Sequence, residues 1–266
     1  MKTLLVLAHD DPGQEARLQV AVDLARRLEA HLTCLDVVVL PPAYVDDSVG
    51  SSISATIVES EIEQEAANRV KLEARLAHED VSWDWQERTG DLVGSLCGAA
   101  QFADLVIVNR KLEDPVMPMR SVAGGIIKEA GKPILAVPQD IRRFDDHCAV
   151  IAWDGSAAAT AALRNAVPLL KLMERVFFVE ITTDKADGWA EDAARYLSRH
   201  GIHARIERVA PLPSGIARTL IAEAGRHGAG LIVAGGYGHS RLRETVFGGV
   251  TRELLTYSPY PLLLSH

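Results

Sequence analysis

The sequence lacks a long hydrophobic run, has little cysteine and carries no excess of positive charge. No stretch of about 18 apolar residues occurs among its 266 residues, which argues against a membrane-spanning helix. The formal net charge of −8 argues against a general nucleic-acid binder, because neutralising phosphates requires a concentrated basic face. The three cysteines, Cys34, Cys97 and Cys148, form no CxxC pair, so we expect free thiols in a reducing, cytoplasmic setting.

Several signatures of catalysis are also absent. The sequence has no GxxxxGK[ST] phosphate loop, no GxSxG turn and no HExxH helix. Apolar residues are abundant by contrast: they make up 48% of the chain against 24% charged residues, a balance typical of a globular protein with a core. The first apolar run, at residues 4–8, is too short for a secretory signal and meets His9-Asp10-Asp11-Pro12 at once, so we interpret it as a buried strand.

The chain contains an internal repeat of about half its length. The apolar run that ends at Asp10 resembles the one that ends at Asp154, and we align these two aspartates. The ends of the halves also match, at 103–108 with 229–234 and at 133–137 with 261–264. A repeat of this length indicates two copies of a domain. We place the domains at residues 1–140 and 147–266, on either side of a polar junction.

Each half alternates short apolar runs with segments of helical period. Unbroken apolar runs suit strands that are covered on both faces, and strand–helix alternation implies right-handed crossovers. We predict an α/β fold of two tandem doubly wound domains, each with a five-stranded parallel sheet flanked by helices. The predicted strands are 3–8, 32–40, 81–88, 104–109, 133–138, 148–153, 175–182, 202–209, 230–235 and 260–265, and the predicted helices are 13–30, 53–79, 91–102, 121–130, 156–172, 187–200, 214–228 and 249–257.

The turn after the fourth strand of the second half is rich in glycine. In an open parallel sheet, ligands bind beyond the carboxyl ends of the strands, near the point where strand order reverses. Here Gly235, Gly238 and Gly248 are separated by two and by nine residues. Glycine lets the backbone approach a ligand closely, and the helix predicted after Gly248 has free N–H groups that can hold a phosphate.

This glycine spacing resembles the signature of the universal stress protein family, in which two residues separate the first glycines and nine precede a Gly-Ser/Thr pair. The segment Ala152-Trp153-Asp154-Gly155-Ser156 also resembles the family's usual strand end. The resemblance covers essentially the whole chain, as a tandem of two domains with an adenine-nucleotide α-hydrolase-like fold. It implies a cytoplasmic stress-response protein that binds ATP or another adenine nucleotide, with or without Mg²⁺.

The resemblance also implies which residues hold the nucleotide. Asp154 would contact the adenine or ribose end, the backbone around Val179 would meet the base, and the glycines would run beside the ribose and phosphates. The residues predicted to bind the nucleotide are Ala152, Trp153, Asp154, Val179, Ala234, Gly235, Gly238, His239, Arg241, Gly248, Gly249, Val250 and Thr251. We predict no catalytic and no metal-ligating residue, and at most a slow, incidental hydrolysis of ATP.

Two departures from the family pattern bear on this prediction. Gly249 stands where the family has Ser or Thr, so one hydroxyl contact is missing and binding should be weaker or restricted to one adenine nucleotide. In the first half, Asn109, Leu112 and the Arg120-Ser121 pair stand opposite the glycines. Their side chains should fill the space that a phosphate chain needs, so we expect the first half to be a degenerate copy.

Four alternatives remain open. Asp154 could act as a helix N-cap as well as a ligand contact. The protein could be a scaffold of the same fold that binds no nucleotide, or an enzyme of the wider nucleotide α-hydrolase-like group with an acceptor pocket. The last strands, 134–137 and 262–264, could pair within one chain, which would make a homodimer optional. No nucleic acid and no membrane is expected as a partner.

Overall fold

The computed structural model describes residues 1–39, 51–110, 119–182, 190–236 and 249–266, with the backbone alone at 51–57 and 119–121. Strands and helices alternate along these described residues. The strands are β1 Thr3–Leu7, β2 His31–Val39, β3 Ser82–Gly90, β4 Leu105–Asn109, β5 Ile134–Val137, β6 Cys148–Trp153, β7 Arg175–Ile181, β8 Ala204–Val209, β9 Leu231–Gly235 and β10 Leu262–Ser265. The helices are α1 Gln14–Leu28, α2 Ser51–Leu76, α3 Leu92–Ala99, α4 Met119–Glu129, α5 Ala157–Leu170, α6 Ala190–Arg199, α7 Ile216–His227 and α8 Gly249–Tyr257.

The strands form one continuous sheet in the order β3-β2-β1-β4-β5-β10-β9-β6-β7-β8. The five strands of each half are parallel, as predicted, and the second half repeats the strand order of the first. The halves meet at β5 and β10, which run antiparallel with Leu135 opposite Leu263. The predicted pairing of the two last strands within one chain is therefore confirmed.

The sheet is covered on both faces, which explains its unbroken apolar strands. One face packs against α1, α2, α5 and α6, and the other packs against α3, α4, α7 and α8. The outer strands β3 and β8 alternate exposed and partly buried residues and carry charges such as Glu87 and Arg208. Charged edges discourage further strand pairing, so the sheet ends there.

Further contacts join the halves beside the β5–β10 pair. Arg110, just after β4, donates from Nη1 to the carbonyl of Leu255 on α8 over 2.6 Å. In the junction, the buried Phe144 donates its backbone N–H to Asp23 on α1 over 2.9 Å. The junction is thus folded against the first half rather than extended between the halves. Among the described residues, no helix combines the length and apolarity needed to cross a membrane.

Candidate functional site

The strand order reverses at two places in the sheet, one in each half. Strand β6 lies between β9 and β7, and β1 lies in the same way between β4 and β2. The carboxyl ends of β6 and β9 therefore meet at one edge, as do those of β1 and β4. These two switch points are where an open parallel sheet presents a ligand crevice.

The strand register corrects our alignment of the two halves. Thr3 pairs with the first residue of β2, and Cys148 pairs with the first residue of β7, so Thr3 and Cys148 are equivalent. Counting along β1 and β6 places His9, and not Asp10, opposite Asp154. The alignment of Asp10 with Asp154 was wrong because the turn before α1 is longer than the turn before α5.

In the second half, the structure brings together several of the predicted apolar residues. Ala152 pairs in register with Val179, and Ala234 follows the paired residues Ile151 and Val233. The three side chains therefore lie side by side on the face covered by α7 and α8. Val250, in the first turn of α8, packs against the same cluster.

Two predicted residues lie on the opposite face of the sheet. The Trp153 ring stands edge-on to Phe178 at 5.7 Å between ring centroids. A Cβ on Gly235 would lie 2.7 Å from the backbone nitrogen of Ala159 and 2.8 Å from the carbonyl carbon of Ala158. Gly235 thus lets the first turn of α5 approach β9 closely, which is a packing requirement independent of any ligand.

Asp154 lies exposed at the switch point, where its carboxylate accepts the backbone N–H of Ser156 over 3.0 Å. Ser156 is the N-cap of α5, because its Oγ accepts the N–H of Ala159 over 3.1 Å. The alternative that Asp154 caps the helix is therefore wrong. Asp154 instead shapes the turn before the cap.

Helix α8 begins at Gly249, at the side of the site where phosphates are predicted. A Cβ placed on Gly249 would meet no atom of the described residues within 4 Å. Thr251 is buried in the same turn. The remaining predicted residues, Gly238, His239, Arg241 and Gly248, lie outside the described residues. The described part of the second half fits a nucleotide: it has small side chains on the sheet and space at a helix start.

The equivalent place in the first half is filled by a buried arginine. Arg17, which has no exposed surface, donates from Nε to the Leu7 carbonyl at the end of β1 over 2.7 Å and from Nη2 to the His9 carbonyl over 2.9 Å. It also pairs with Asp11 at 2.7 Å and donates to the side chain of Asn109 at the end of β4. This network occupies the first switch point and does not fit a nucleotide.

In both halves, the first turn of a helix lies close to the end of a strand, and a glycine on one of the two elements makes room for the other. In the first half, Asn109 takes the place of Gly235 and packs against Gly13, where a Cβ would collide with the Asn109 side-chain amide. In the second half the strand supplies the glycine instead. Counting from the helix caps, Thr160 takes the place of Arg17 and is exposed. Arg17 and Asn109 therefore fill the described part of the first switch point; the sequence pointed to Asn109, but Arg17 was missed.

A second buried polar group in the first half was also missed. It contains His9, Asp36 on β2 and Glu65 on α2. Burial and the neighbouring Glu65 carboxylate raise the pKa of Asp36 to about 7. Burial alone would lower the pKa of His9, but the adjacent Glu65 outweighs it and raises that pKa. The sequence signal was Asp36 itself, an acid between Leu35 and Val37 in an apolar strand.

The sequence profile of the universal stress protein family matches residues 1–138. The chain belongs to the universal stress protein family. The matched range is the half without the glycine spacing, and residues 139–266 lie outside it. The first half therefore matches the family profile although the side chains of Arg17 and Asn109 fill its switch point.

Solved structures share the fold over the whole chain. A universal stress protein from Archaeoglobus fulgidus has a TM-score of 0.75 and 14% sequence identity, over 99% of this chain and 97% of that one. A functionally unknown protein from Pseudomonas aeruginosa has a TM-score of 0.61 and 16% identity, over 100% and 92% of the respective chains. No curated protein sequence matches the chain.

Proposed function

We propose that this member of the universal stress protein family is a regulatory protein that binds an adenine nucleotide, ATP in the first place, in its second half. The observation that carries the proposal is the contrast between the two switch points. The first is filled by Arg17 and Asn109, whereas the second has Thr160 and Gly235 in their places. Nucleotide occupancy of the second would then alter the surface around α8 and the turn before it.

The proposed binding mode assigns a role to each part of the second switch point. The base would lie over Ala152, Val179 and Ala234, which form a small-residue patch on one face of the sheet. Asp154, at the exposed end of β6, would accept hydrogen bonds from the ribose. The phosphates would meet the first N–H groups of α8, where the helix dipole favours negative charge. Mg²⁺ would bind to the phosphates rather than to a dedicated set of protein ligands.

We also propose that residues 147–266 form a second domain of the family, after a first domain at 1–140. Support comes from the repeated strand order and from the matching register of the two halves. A cytoplasmic location fits Cys34, Cys97 and Cys148, all of which are free thiols. We infer that any ATP turnover is slow, because the sequence has no P-loop lysine to neutralise the transferred phosphate.

Calorimetric titration of the whole chain with ATP, ADP and AMP tests the proposal. We expect Asp154→Ala and Gly238→Leu, which copies Leu112 of the first half, to weaken binding at least about tenfold. Gly249→Ser should tighten it about threefold to tenfold, because it adds one hydrogen bond to phosphate in open space.

Asp10→Ala is the matched control, since Asp10 is an exposed acid in the equivalent turn of the first half. It should leave affinity unchanged. If none of the three nucleotides binds, the scaffold alternative is favoured. Equal affinity in Gly238→Leu would place the site elsewhere. Phosphate release that rises strongly with an acceptor substrate would favour the enzyme alternative instead.

A further inference from the structure

The first half holds a compact group of three buried side chains with metal-ligating atoms. His9 follows β1, Asp36 lies on β2 and Glu65 lies on α2, and their exposed fractions are 4%, 4% and 1%. Each offers one nitrogen or oxygen atom, and these atoms lie within 4.8 Å of one another. Three separate elements therefore converge on one small volume that is sealed from solvent.

The carboxylate of Asp36 is incompletely satisfied. Its Oδ1 is buried and has no hydrogen-bond partner among the described residues. Leaving such an atom unpaired destabilises the folded state, and more strongly when the group is charged. His9 Nδ1 lies 2.7 Å from Glu65 Oε1 and pairs with that carboxylate. The Asp36 oxygen is thus available to another partner, while His9 and Glu65 are already held beside each other.

In the second half, the acid at the equivalent position has hydrogen-bond and ion-pair partners. The strand register makes Glu180 the equivalent of Asp36. Glu180 accepts the backbone N–H of Ala190 over 3.0 Å and pairs with Arg208 at 2.8 Å. Beside Asp36, the residue equivalent to Arg208 is Glu87. The first half therefore has a second acid where its counterpart has the compensating cation.

Surrounding side chains hold Glu65 in place. One of its oxygens accepts the N–H of Asp10 over 3.1 Å, and the other accepts from Asn68 Nδ2 over 3.2 Å. Asn68 exchanges two hydrogen bonds with Gln14, at 2.7 and 2.9 Å, and both amides are buried. Metal ligands in proteins are oriented by an outer layer of this kind.

We propose that His9, Asp36 and Glu65 bind a divalent transition-metal ion. One imidazole nitrogen and two carboxylate oxygens suit Zn²⁺, with a water molecule as the fourth ligand. Zinc ligands about 2.0–2.1 Å from the metal lie roughly 3.3–3.5 Å apart in a tetrahedron, so the present spacing needs only small side-chain movements. The ion supplies the positive charge that Arg208 supplies in the other half. The site is independent of the nucleotide site.

Zn²⁺ titration of the whole chain, after stripping with EDTA, tests this proposal. We expect one Zn²⁺ per chain by calorimetry and by metal analysis after gel filtration, and a higher thermal midpoint with the metal bound. Asp36→Asn keeps the shape of the side chain but removes its charge, and His9→Gln removes the nitrogen ligand. Each should weaken binding at least about tenfold. Cobalt substitution should give visible absorption bands that both variants lose.

Two further variants separate metal binding from general damage. Glu87→Arg should place a cation beside Asp36 and weaken Zn²⁺ binding. Glu223→Gln is the matched control, because Glu207, Glu223 and His227 form another group of possible ligands, in which Arg226 already pairs with both glutamates. It should leave stoichiometry and affinity unchanged. Failure to bind one equivalent of Zn²⁺, unchanged affinity in folded Asp36→Asn, or loss of binding in Glu223→Gln would overturn the proposal.

Discussion

The two switch points differ most clearly at single positions. Arg17 has no exposed surface and contacts four groups: the backbone carbonyls of Leu7 and His9, a carboxylate and an amide. A buried charge is tolerated only when it is paired and hydrogen-bonded in this way. Thr160, its counterpart, is uncharged and exposed, so it needs no such partners. This exchange of a large cation for a small hydroxyl side chain is the main difference between the described residues of the two switch points.

Gly235 and Gly249 both belong to the proposed nucleotide site, but we predict opposite effects on stability. A methyl group at Gly235 would collide with the backbone of Ala158 and Ala159, which cannot move without shifting α5. Gly235→Ala should therefore cost about 1–3 kcal/mol of unfolding free energy, more than the roughly 0.5–1 kcal/mol gained from reduced chain entropy. The methyl group of Gly249→Ala would meet no atom of the described residues, so this variant should be neutral or slightly stabilising.

Urea denaturation of the two alanine variants beside the wild type measures this difference. Nucleotide should be absent, so that binding does not add to the free energy. If Gly235→Ala were as stable as Gly249→Ala, the close approach of α5 to β9 would be wrong. The prediction concerns packing alone and holds whether or not the second half binds ATP.

At the scale of elements, most strands and helices could be predicted because their signals are local. Runs such as 105–108 are apolar throughout, and the helix expected at 13–30 is α1, Gln14–Leu28. The burial of Arg17 could not be predicted, since helical periodicity does not reveal which strand ends lie across from it. Asp36 could have been singled out as an acid in an apolar strand, although it was missed. Its neighbour Glu65 lies on a distant helix, and only tertiary packing brings them together.

The link between β1 and β4 should make stability depend on pH. Asp104, just before β4, accepts the backbone N–H groups of Lys2 and Thr3 at the start of β1. Partial burial alone would raise its pKa, but these two hydrogen bonds and the nearby N-terminal charge outweigh burial and lower it. A lowered pKa in the folded state gives stability that is present above the unfolded pKa of about 3.9 and is lost in more acidic solution.

We therefore expect Asp104→Asn to be less stable than the wild type at about pH 7. The difference in unfolding free energy between the two proteins should narrow as the pH falls from about 5 to about 2. Urea unfolding across this range provides the measurement. Glu63→Gln, on the exposed face of α2, serves as the control and should show no comparable gap. A gap that widened in acid would contradict the assigned direction.

At the scale of the molecule, the two halves protect each other. Either half alone would expose β5 or β10 as an edge strand, and these strands are buried and almost entirely apolar. Exposed apolar edges invite aggregation. The antiparallel pair of Leu135 and Leu263 closes both edges within one chain. A homodimer is therefore not needed to protect these strands.

It follows that cutting the junction should not separate the halves. Arg142 and Arg143 are exposed, so a protease site inserted between them should be cleaved without disturbing the core. We expect the fragments to stay together in gel filtration and to unfold in one transition. Its midpoint should rise with protein concentration, unlike that of the uncut chain, because association has become bimolecular. Leu263→Arg would place a charge in the shared core and should release the fragments after cleavage. Fragments that separate without this substitution, or that unfold independently at every concentration, would show that the ten strands do not act as one sheet.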